Sequence, residues 1–345
     1  MVLPSLDRGA VLSVWIVNFN SADYLRDCVA GLTSEWVRRI IVLDNASGPG
    51  EEEKLEELAA ADERIQLILS DTNLGFGGGH RRIADVTAKD PAVTEISVGT
   101  DISELPEISE FTGAAGIAGS PRLEEIVWIL NPDTVITASA TAGMCELIVA
   151  DEADLLSPVL LTGRPDKPVI WFAGGRIDTA SGLVTHSGAG RSAVASSPAL
   201  VPSDFLTGAA VMMTRATWDR LGGFRDDLFL YWEDVDLSLR AGAQHMRMAV
   251  AGQISIWHAE GGSTKTGSGV SAATYYYSAR NRIVVCGEFA RRRSLVVGRG
   301  APVLIRLAAV AFLKGGRGRS ARLRAVARGT MDGLLGRVGN REAAR

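Results

Sequence analysis

Cysteine is scarce in these 345 residues: Cys28, Cys145 and Cys286 are the only three, odd in number and without the close spacing of a zinc motif. That excludes a disulfide framework and a thiolate metal centre, and it points to a reducing compartment. Aromatic residues make up only 6%, and the basic stretches hold few of them and no known reading motif, so no nucleic-acid partner is expected. No Gly-Lys-Ser or Gly-Lys-Thr occurs, which removes the P-loop as a phosphate site. Apolar runs are short. The longest near the end, Val303 to Leu313, is interrupted by Arg306 and falls short of the roughly 20 residues that cross a bilayer. Met1 to Arg8 has no apolar segment of the secretory kind. A cytoplasmic protein is expected, with any membrane contact peripheral, at the inner face of the cell membrane.

What is present is a 46% hydrophobic composition, enough for a sizeable core in one large α/β domain with an appendage or in two modest domains. The net charge of −4 hides an asymmetry. Glu51 to Glu63 is strongly acidic, whereas from Arg280 onward basic residues outnumber acidic ones sixteen to three. The basic tail flanks Val303 to Leu313. It reads either as a basic amphipathic helix on an anionic membrane surface or as an ordinary solvated helical face.

Along the chain, Val11 to Phe19 is an almost continuous apolar run, and Asn20-Ser21 after it can cap a helix. Arg39 to Leu43 repeats the pattern and ends at Asp44-Asn45-Ala46-Ser47-Gly48, before a Glu-rich helix. A third strand, Ile65 to Leu69, leads to Asn73-Leu74-Gly75-Phe76-Gly77-Gly78-Gly79-His80 and another helix. Strands that alternate with helices and lack polar faces predict a doubly wound, mostly parallel sheet. Ligands bind such sheets at the carboxyl ends of the strands. Asp44 there can accept from a base imide or a ribose hydroxyl; an Asx turn with Asn45 and Gly48 explains it equally. The glycines follow the third strand instead of the first, so they are poor grounds for a dinucleotide fingerprint.

Ile126 to Leu130 predicts a buried strand that stops at Asn131-Pro132-Asp133. Asp133 is then a candidate metal or phosphate residue, or alternatively the N-cap of the next helix. Helix is predicted over 139–149 and strands near 154–161, 169–173 and 205–213, the last broken by the Thr207-Gly208 pair. Glu233, Asp234 and Asp236 open an apolar helical pattern beside Tyr231 and Trp232; capping calls for one acid, and here there are three. Ile254 to His258 is a short strand ending in a histidine. Arg280, after Tyr275-Tyr276-Tyr277, either pairs with a phosphate or lies on an exposed helix face.

Four of these stretches together, Val17-Asn18-Phe19-Asn20-Ser21, Val42-Leu43-Asp44-Asn45-Ala46-Ser47, Asn73-Leu74-Gly75-Phe76 and Leu130-Asn131-Pro132-Asp133-Thr134, resemble the family-two glycosyltransferases of the GT-A fold, most closely the rhamnosyltransferase-like branch. The resemblance covers roughly residues 11–290. It implies that Asn18, Asn20, Asp44, Asn45, Asn73, Gly75 and Phe76 surround the base and ribose of a nucleotide sugar. It implies that Asp133 binds a divalent metal, Mg or Mn, with Asn131 standing where the family's Asp-x-Asp has its first carboxylate and His258 completing the site. Thr207 and Gly208 would back the donor sugar, with Trp232 and Glu233 as further substrate contacts. Asp234 matches the catalytic base. His80 stands where relatives often carry Asn.

A sugar hydroxyl is a poor nucleophile, so displacement at the anomeric carbon needs a carboxylate to accept its proton. One base and one metal on opposite sides of that carbon imply inversion without a covalent intermediate. The expected layout is a glycosyltransferase domain over 1–265, with a nucleotide-sugar half to about 135, an acceptor half after it and a surface insertion over 94–122. A basic helical region follows over 266–345. The expected activity is metal-dependent transfer of L-rhamnose from dTDP-rhamnose to a cell-envelope glycan or a polyprenyl-diphosphate-linked saccharide. A catalytically silent nucleotide-sugar or polysaccharide binder and a sugar nucleotidyltransferase are the competing classes.

Overall fold

The apolar runs become strands wherever both faces can be covered. β1 (Ala10–Asn18), β2 (Val37–Asp44), β3 (Ile65–Leu69) and β4 (Glu124–Leu130) are parallel, in the spatial order β3-β2-β1-β4. Their connections contain the helices Ala22–Gly31, Glu51–Ala61 and Gly75–Thr87. Trp15, Ile16, Ile40, Trp128 and Ile129 are fully or almost fully buried, each aliphatic side chain contributing about 1.5–3 kcal/mol against the entropy of ordering the chain. The computed structural model describes residues 10–89, 124–193, 198–259, 265–266, 269–313 and 318–341. The insertion expected over 94–122 lies outside them.

Beyond β4 the sheet is mixed. β5 (Thr134–Val135), β6 (Leu155–Arg164), β7 (Lys167–Phe172), β10 (Leu200–Pro202), β11 (Ala210–Thr214) and β12 (Met248–His258) extend it, while β8 (Gly175–Asp178) and β9 (Leu183–His186) form a separate hairpin. β11 runs antiparallel between β4 and β6, and β12 is parallel to β6. Because β2 and β3 lie on one side of β1 and β4 on the other, strand order reverses at the β1/β4 boundary, where open α/β sheets leave a crevice. Asn18 ends β1 and Asn131-Pro132-Asp133 follows β4 at that boundary.

Three local expectations are corrected. Asp133 does not cap a helix: it precedes the two-residue strand β5, and the helix Ala138–Val149 is capped by Thr137, whose hydroxyl accepts from Ala140 N at 3.2 Å. The strand expected over 205–213 is confined to Ala210–Thr214, which leaves Thr207-Gly208 in a loop at its start. The Gly-rich run is itself the first turn of the helix Gly75–Thr87. Gly75 has φ +76°, and a Cβ there would lie 2.1 Å from the carbonyl oxygen of Phe229; at Gly77 one would lie 2.5 Å from that of Arg225. Glycine lets this helix close on the 225–229 loop.

The C-terminal region is built around the helix Ala272–Cys286, buried on nearly every side. The helices Ala301–Leu313 and Arg319–Leu334 join it in a second core of Tyr275, Tyr276, Tyr277, Ala311, Ala325 and Val326, against which Phe229, Leu230 and Tyr231 pack. Among the described residues no helix is long and apolar enough to cross a membrane.

Candidate active site

On the β1–β3 side, the polar residues at the strand ends hold one another. Asn18 Nδ2 donates to Asp44 Oδ1 at 3.0 Å across the β1/β2 register. Ser47 donates to Asp44 through its hydroxyl at 2.6 Å and its backbone N–H at 3.0 Å, so the turn expected at Asp44 forms with Ser47 and not with Asn45 or Gly48. An ionised carboxylate offers about four acceptor positions; three are filled, leaving one for a ligand. Asn45 stitches the next loop, accepting from Leu74 N at 2.7 Å and donating to Asn73 Oδ1 and the Gly75 carbonyl. Asn20, at φ 53°, accepts from Gly48 N at 2.8 Å. The helix after β1 is capped from outside: its Ser21 makes no side-chain cap, and Glu51 accepts from Ala22 N at 2.9 Å.

Phe76 continues this wall inward. Its N–H donates to the Phe229 carbonyl at 2.7 Å, and its ring packs on His80 and Phe224. His80 is wholly buried, bonded to the Phe76 carbonyl, and burial pushes its pKa down to about 4. It is a neutral core residue, with no exposed atom for a nucleotide.

At the end of β4, Asp133 Oδ1 and His258 Nε2 lie 3.3 Å apart, both buried, with Asn131 Nδ2 at 3.4 Å from the same nitrogen. The chain brings them together because His258 ends β12 and pairs in register with Thr134 of β5. Two adjacent ligands of one six-coordinate cation, each about 2.1–2.3 Å from it, lie about 3 Å apart, so this pair fits a shared divalent ion. Among the described residues no third His, Cys, Asp or Glu joins them. The pair therefore fits an ion that takes its remaining ligands from a diphosphate and water, as small hard cations commonly do. The nearby Cys28 thiol, 3.4 Å from Thr134 Oγ1, is pushed by burial up to about 12 and stays protonated.

Asp234, in the first turn of the helix Glu233–Ala243, is tied to the loop beside that pair. Asn131 N donates to the Ala209 carbonyl at 2.9 Å, which fixes the 207–209 loop beside the end of β4, and Gly208 N donates to Asp234 Oδ2 at 3.1 Å. Val235 N donates to Asp234 Oδ1 at 2.8 Å. Burial raises the Asp234 pKa, opposed by those two N–H groups. Its neighbour Glu233 is pushed well above the ordinary carboxylate range, first by burial and then by the Asp234 charge, and its Oε2 has no hydrogen-bond partner among the described residues. Different environments separate the two acids: burial and the Asp234 charge push Glu233 toward its protonated form, whereas two backbone N–H groups oppose the rise at Asp234. Asp236 is structural, bridged by Arg240 at 2.7 Å and Arg225 at 3.4 Å. The residue at the head of this helix is Trp232, left-handed at φ 76°, and its side chain caps nothing.

Two residues that sequence reasoning missed link the acidic groups. The Trp171 ring, on β7, lies 4.5 Å from the His258 ring and 5.2 Å from that of His186. His186, at the end of β9, bonds through Nδ1 to the Trp171 carbonyl and interacts electrostatically with Asp234. Their only sequence signal was position in the short-strand region. A histidine closing one hairpin says nothing of which carboxylate it will face.

Arg280 is corrected outright. It is neither on an exposed face nor open to a phosphate: fully buried, it donates to the carbonyls of Gly339 at 2.6 Å and Leu228 at 2.7 Å, and to Asn281 Oδ1. Asn281 Nδ2 in turn donates to the carbonyls of Leu228, Leu230 and Tyr231 at 2.7–2.9 Å. These residues clamp the segment in which Phe229, Tyr231 and Trp232 all have positive φ, a conformation that costs non-glycine residues about 1–2 kcal/mol each. That segment delivers Glu233 and Asp234.

Residues 13–91, from β1 through the helix after β3, match the family model described as Glycosyl transferase family 2. No curated protein matches the sequence. Among solved structures, GalNAc-T7 with UDP, GalNAc and Mn2+ aligns with a TM-score of 0.57 at 13% identity, over 91% of this chain and 54% of that one. The chain thus spans about half the length of that relative. The mannosyltransferase PcManGT from Pyrobaculum calidifontis, in complex with GDP-Man and Mn2+, aligns with a TM-score of 0.52 at 13% identity, over 94% of this chain and 86% of that one. These likenesses show the fold: the α/β architecture is that of the GT-A glycosyltransferases.

Proposed function

We propose that the protein is an inverting, metal-dependent glycosyltransferase that uses a nucleotide-diphosphate sugar. The observation that carries this reading is that the loop before β11 joins a buried Asp133–His258 pair at the end of β4 to a carboxylate at the head of a helix, Asp234, held by Gly208 N. The match over residues 13–91 supports a nucleotide-sugar donor in the β1–β3 crevice. Asn18, Asn20, Asp44, Asn45, Asn73 and Gly75 frame the base and ribose there, with Phe76 behind them. Thr207, Gly208, Trp232 and Glu233 line the sugar.

Asp133 and His258, with Asn131 beside them, would hold a divalent ion at the diphosphate. When bound, such an ion neutralises charge growing on the leaving group. Asp234 accepts the proton of the acceptor hydroxyl as its oxygen bonds to the anomeric carbon and the bond from that carbon to the diphosphate breaks. Each Asp234 oxygen takes one backbone N–H and keeps a lone pair for that proton. Glu233, protonated, adds no second negative charge beside the base. A single carboxylate acting from the face opposite the leaving group gives inversion.

The motif resemblance favours L-rhamnose from dTDP-rhamnose as the donated unit, and a cell-envelope glycan or polyprenyl-diphosphate-linked saccharide as acceptor. The test is hydrolysis and transfer across a donor panel (dTDP-rhamnose, UDP-N-acetylglucosamine, UDP-galactose, GDP-mannose) with Mn2+ or Mg2+ and with a chelator. Turnover of one donor, abolished by the chelator, is expected. Donor binding without turnover of any member would make the protein a silent binder, and turnover of a donor other than dTDP-rhamnose would reassign the sugar alone.

A further inference from the structure

The helix Ala301–Leu313 shows its two faces to different surroundings. Leu304, Leu307, Ala308, Val310 and Ala311 pack into the C-terminal core. The opposite face, Pro302, Ile305, Arg306, Ala309, Phe312 and Leu313, is exposed, and its large apolar members are exposed far beyond what a solvated helix needs: Ile305 68%, Phe312 48% and Leu313 72%. Positions 302, 305, 309 and 312 recur at the spacing of one helical stripe. Val297, one turn before the helix, is 77% exposed.

Charge surrounds this stripe with one sign. From residue 289 to residue 331 the sequence has eleven Arg and Lys and no Asp or Glu. Arg291, Arg293, Arg299 and Arg306 are exposed, and the Arg319 guanidinium lies 5.2 Å over the Phe312 ring. At thirteen residues the helix is too short to span a bilayer. A one-sided apolar stripe bordered by arginines, with its other face already buried, matches a helix lying in the plane of a lipid headgroup layer. A second copy of the chain would bring the same positive charge to the contact and repel it.

We infer that the exposed face of Ala301–Leu313, with Val297 and the flanking arginines, docks the protein on an anionic phospholipid surface. The phosphates meet the arginines while Ile305, Phe312 and Leu313 enter the headgroup boundary. This goes beyond the glycosyltransferase reading and stands independently of it, since none of these residues lies in the donor cleft.

The test is co-sedimentation of the full chain with vesicles of phosphatidylcholine alone and with about a third phosphatidylglycerol. Binding to the anionic vesicles only is expected, reduced about tenfold or more when ionic strength rises from about 0.05 M to about 0.5 M. The double variant Ile305→Ser/Phe312→Ser is expected to lose about tenfold or more of the low-salt affinity while keeping an unchanged thermal melt and donor binding. Arg291→Glu/Arg293→Glu, exposed and outside any core, tests the charge separately and is expected to weaken low-salt binding and flatten its salt dependence. Equal binding to neutral vesicles, or no effect of either double variant, would overturn the proposal. So would a dimer in sedimentation velocity that Ile305→Ser/Phe312→Ser dissociates, which would assign the face to a second copy. Retention of a labelled nucleic acid in place of vesicles would overturn it in favour of a polyanion site.

Discussion

On the β1–β3 side of the cleft the polar side chains mainly satisfy one another, whereas beyond β4 they are buried with atoms left over. Asn18, Asp44 and Ser47 form one set and Asn45 with Asn73 another; among the described residues the buried atoms without a hydrogen-bond partner on this side include Asn18 Oδ1 and His80 Nε2. Across the boundary, His258 Nδ1 and Glu233 Oε2 have no hydrogen-bond partner among the described residues, and Asp234 and Glu233 share one desolvated corner. A closed network keeps its shape without a ligand. A buried polar atom without a partner costs about 1–3 kcal/mol, and a ligand that satisfies it recovers that cost. On the proposed reading the first region is the preformed rest for the nucleotide, and the second is where charge and protons move.

The largest effect that could break this contrast is at Asp234. Asp234→Asn is expected to lower turnover by about 10²–10⁴-fold, the usual contribution of a general base, while donor affinity measured by calorimetry stays within about threefold. Wild-type turnover in that variant would take the base role away from Asp234. Next come Asp133→Ala and His258→Ala, expected to weaken metal-dependent donor binding by at least about 10- to 100-fold and to leave metal-free nucleotide binding unchanged. If both variants bind donor as tightly with metal as the wild type, the pair is a structural ion pair and the metal site lies elsewhere.

A smaller effect sharpens the comparison from outside the cleft. Asn281→Ala removes the donor that three carbonyls of the 228–231 segment share. An expected loss of about 1–3 kcal/mol falls partly on stability and partly on turnover, read as a lower kcat with unchanged donor affinity. Parallel losses in kcat and donor affinity would mean that Asn281 supports the whole cleft and not the segment that delivers Asp234.

How much of this was legible in the sequence follows the same divide. The first three strands were readable because each is a continuous apolar run ending in polar residues, and the side chains that matter sit within a few positions of those ends. Asp133 and Asp234 were readable as chemistry, yet their meeting depends on β11 lying antiparallel beside β4, a tertiary fact without a local signature. The Thr207-Gly208 pair was readable as a break in an apolar run, but its contact with Asp234, twenty-six residues on, was not. Arg280 misled because burial of a guanidinium is rare unless it is paired, and its partners are backbone carbonyls more than fifty residues away. His186 and Trp171 left no trace, since what counts is the ring contact between two short strands.

The smallest expected effect concerns the proton on Glu233, and it separates the two buried acids from each other. A carboxyl group whose folded-state pKa lies above its ordinary value of 4.5 keeps a proton that the unfolded chain releases. Its contribution to stability is therefore fully present below about pH 4.5 and is lost as pH rises through the raised folded value. Glutamine has no proton to lose. Glu233→Gln should thus lie within about 1 kcal/mol of the wild type at pH 4.5 and gain on it steadily toward pH 8.5, read from urea unfolding at each pH. The acid limb of the rate profile belongs to Asp234, whose pKa is also raised, so activity should fall on acidification above the range of an ordinary aspartate in both proteins. A stability difference that does not change with pH would show Glu233 ionised in the fold, and two adjacent negative charges would then have to be carried by the corner assigned here to a single base.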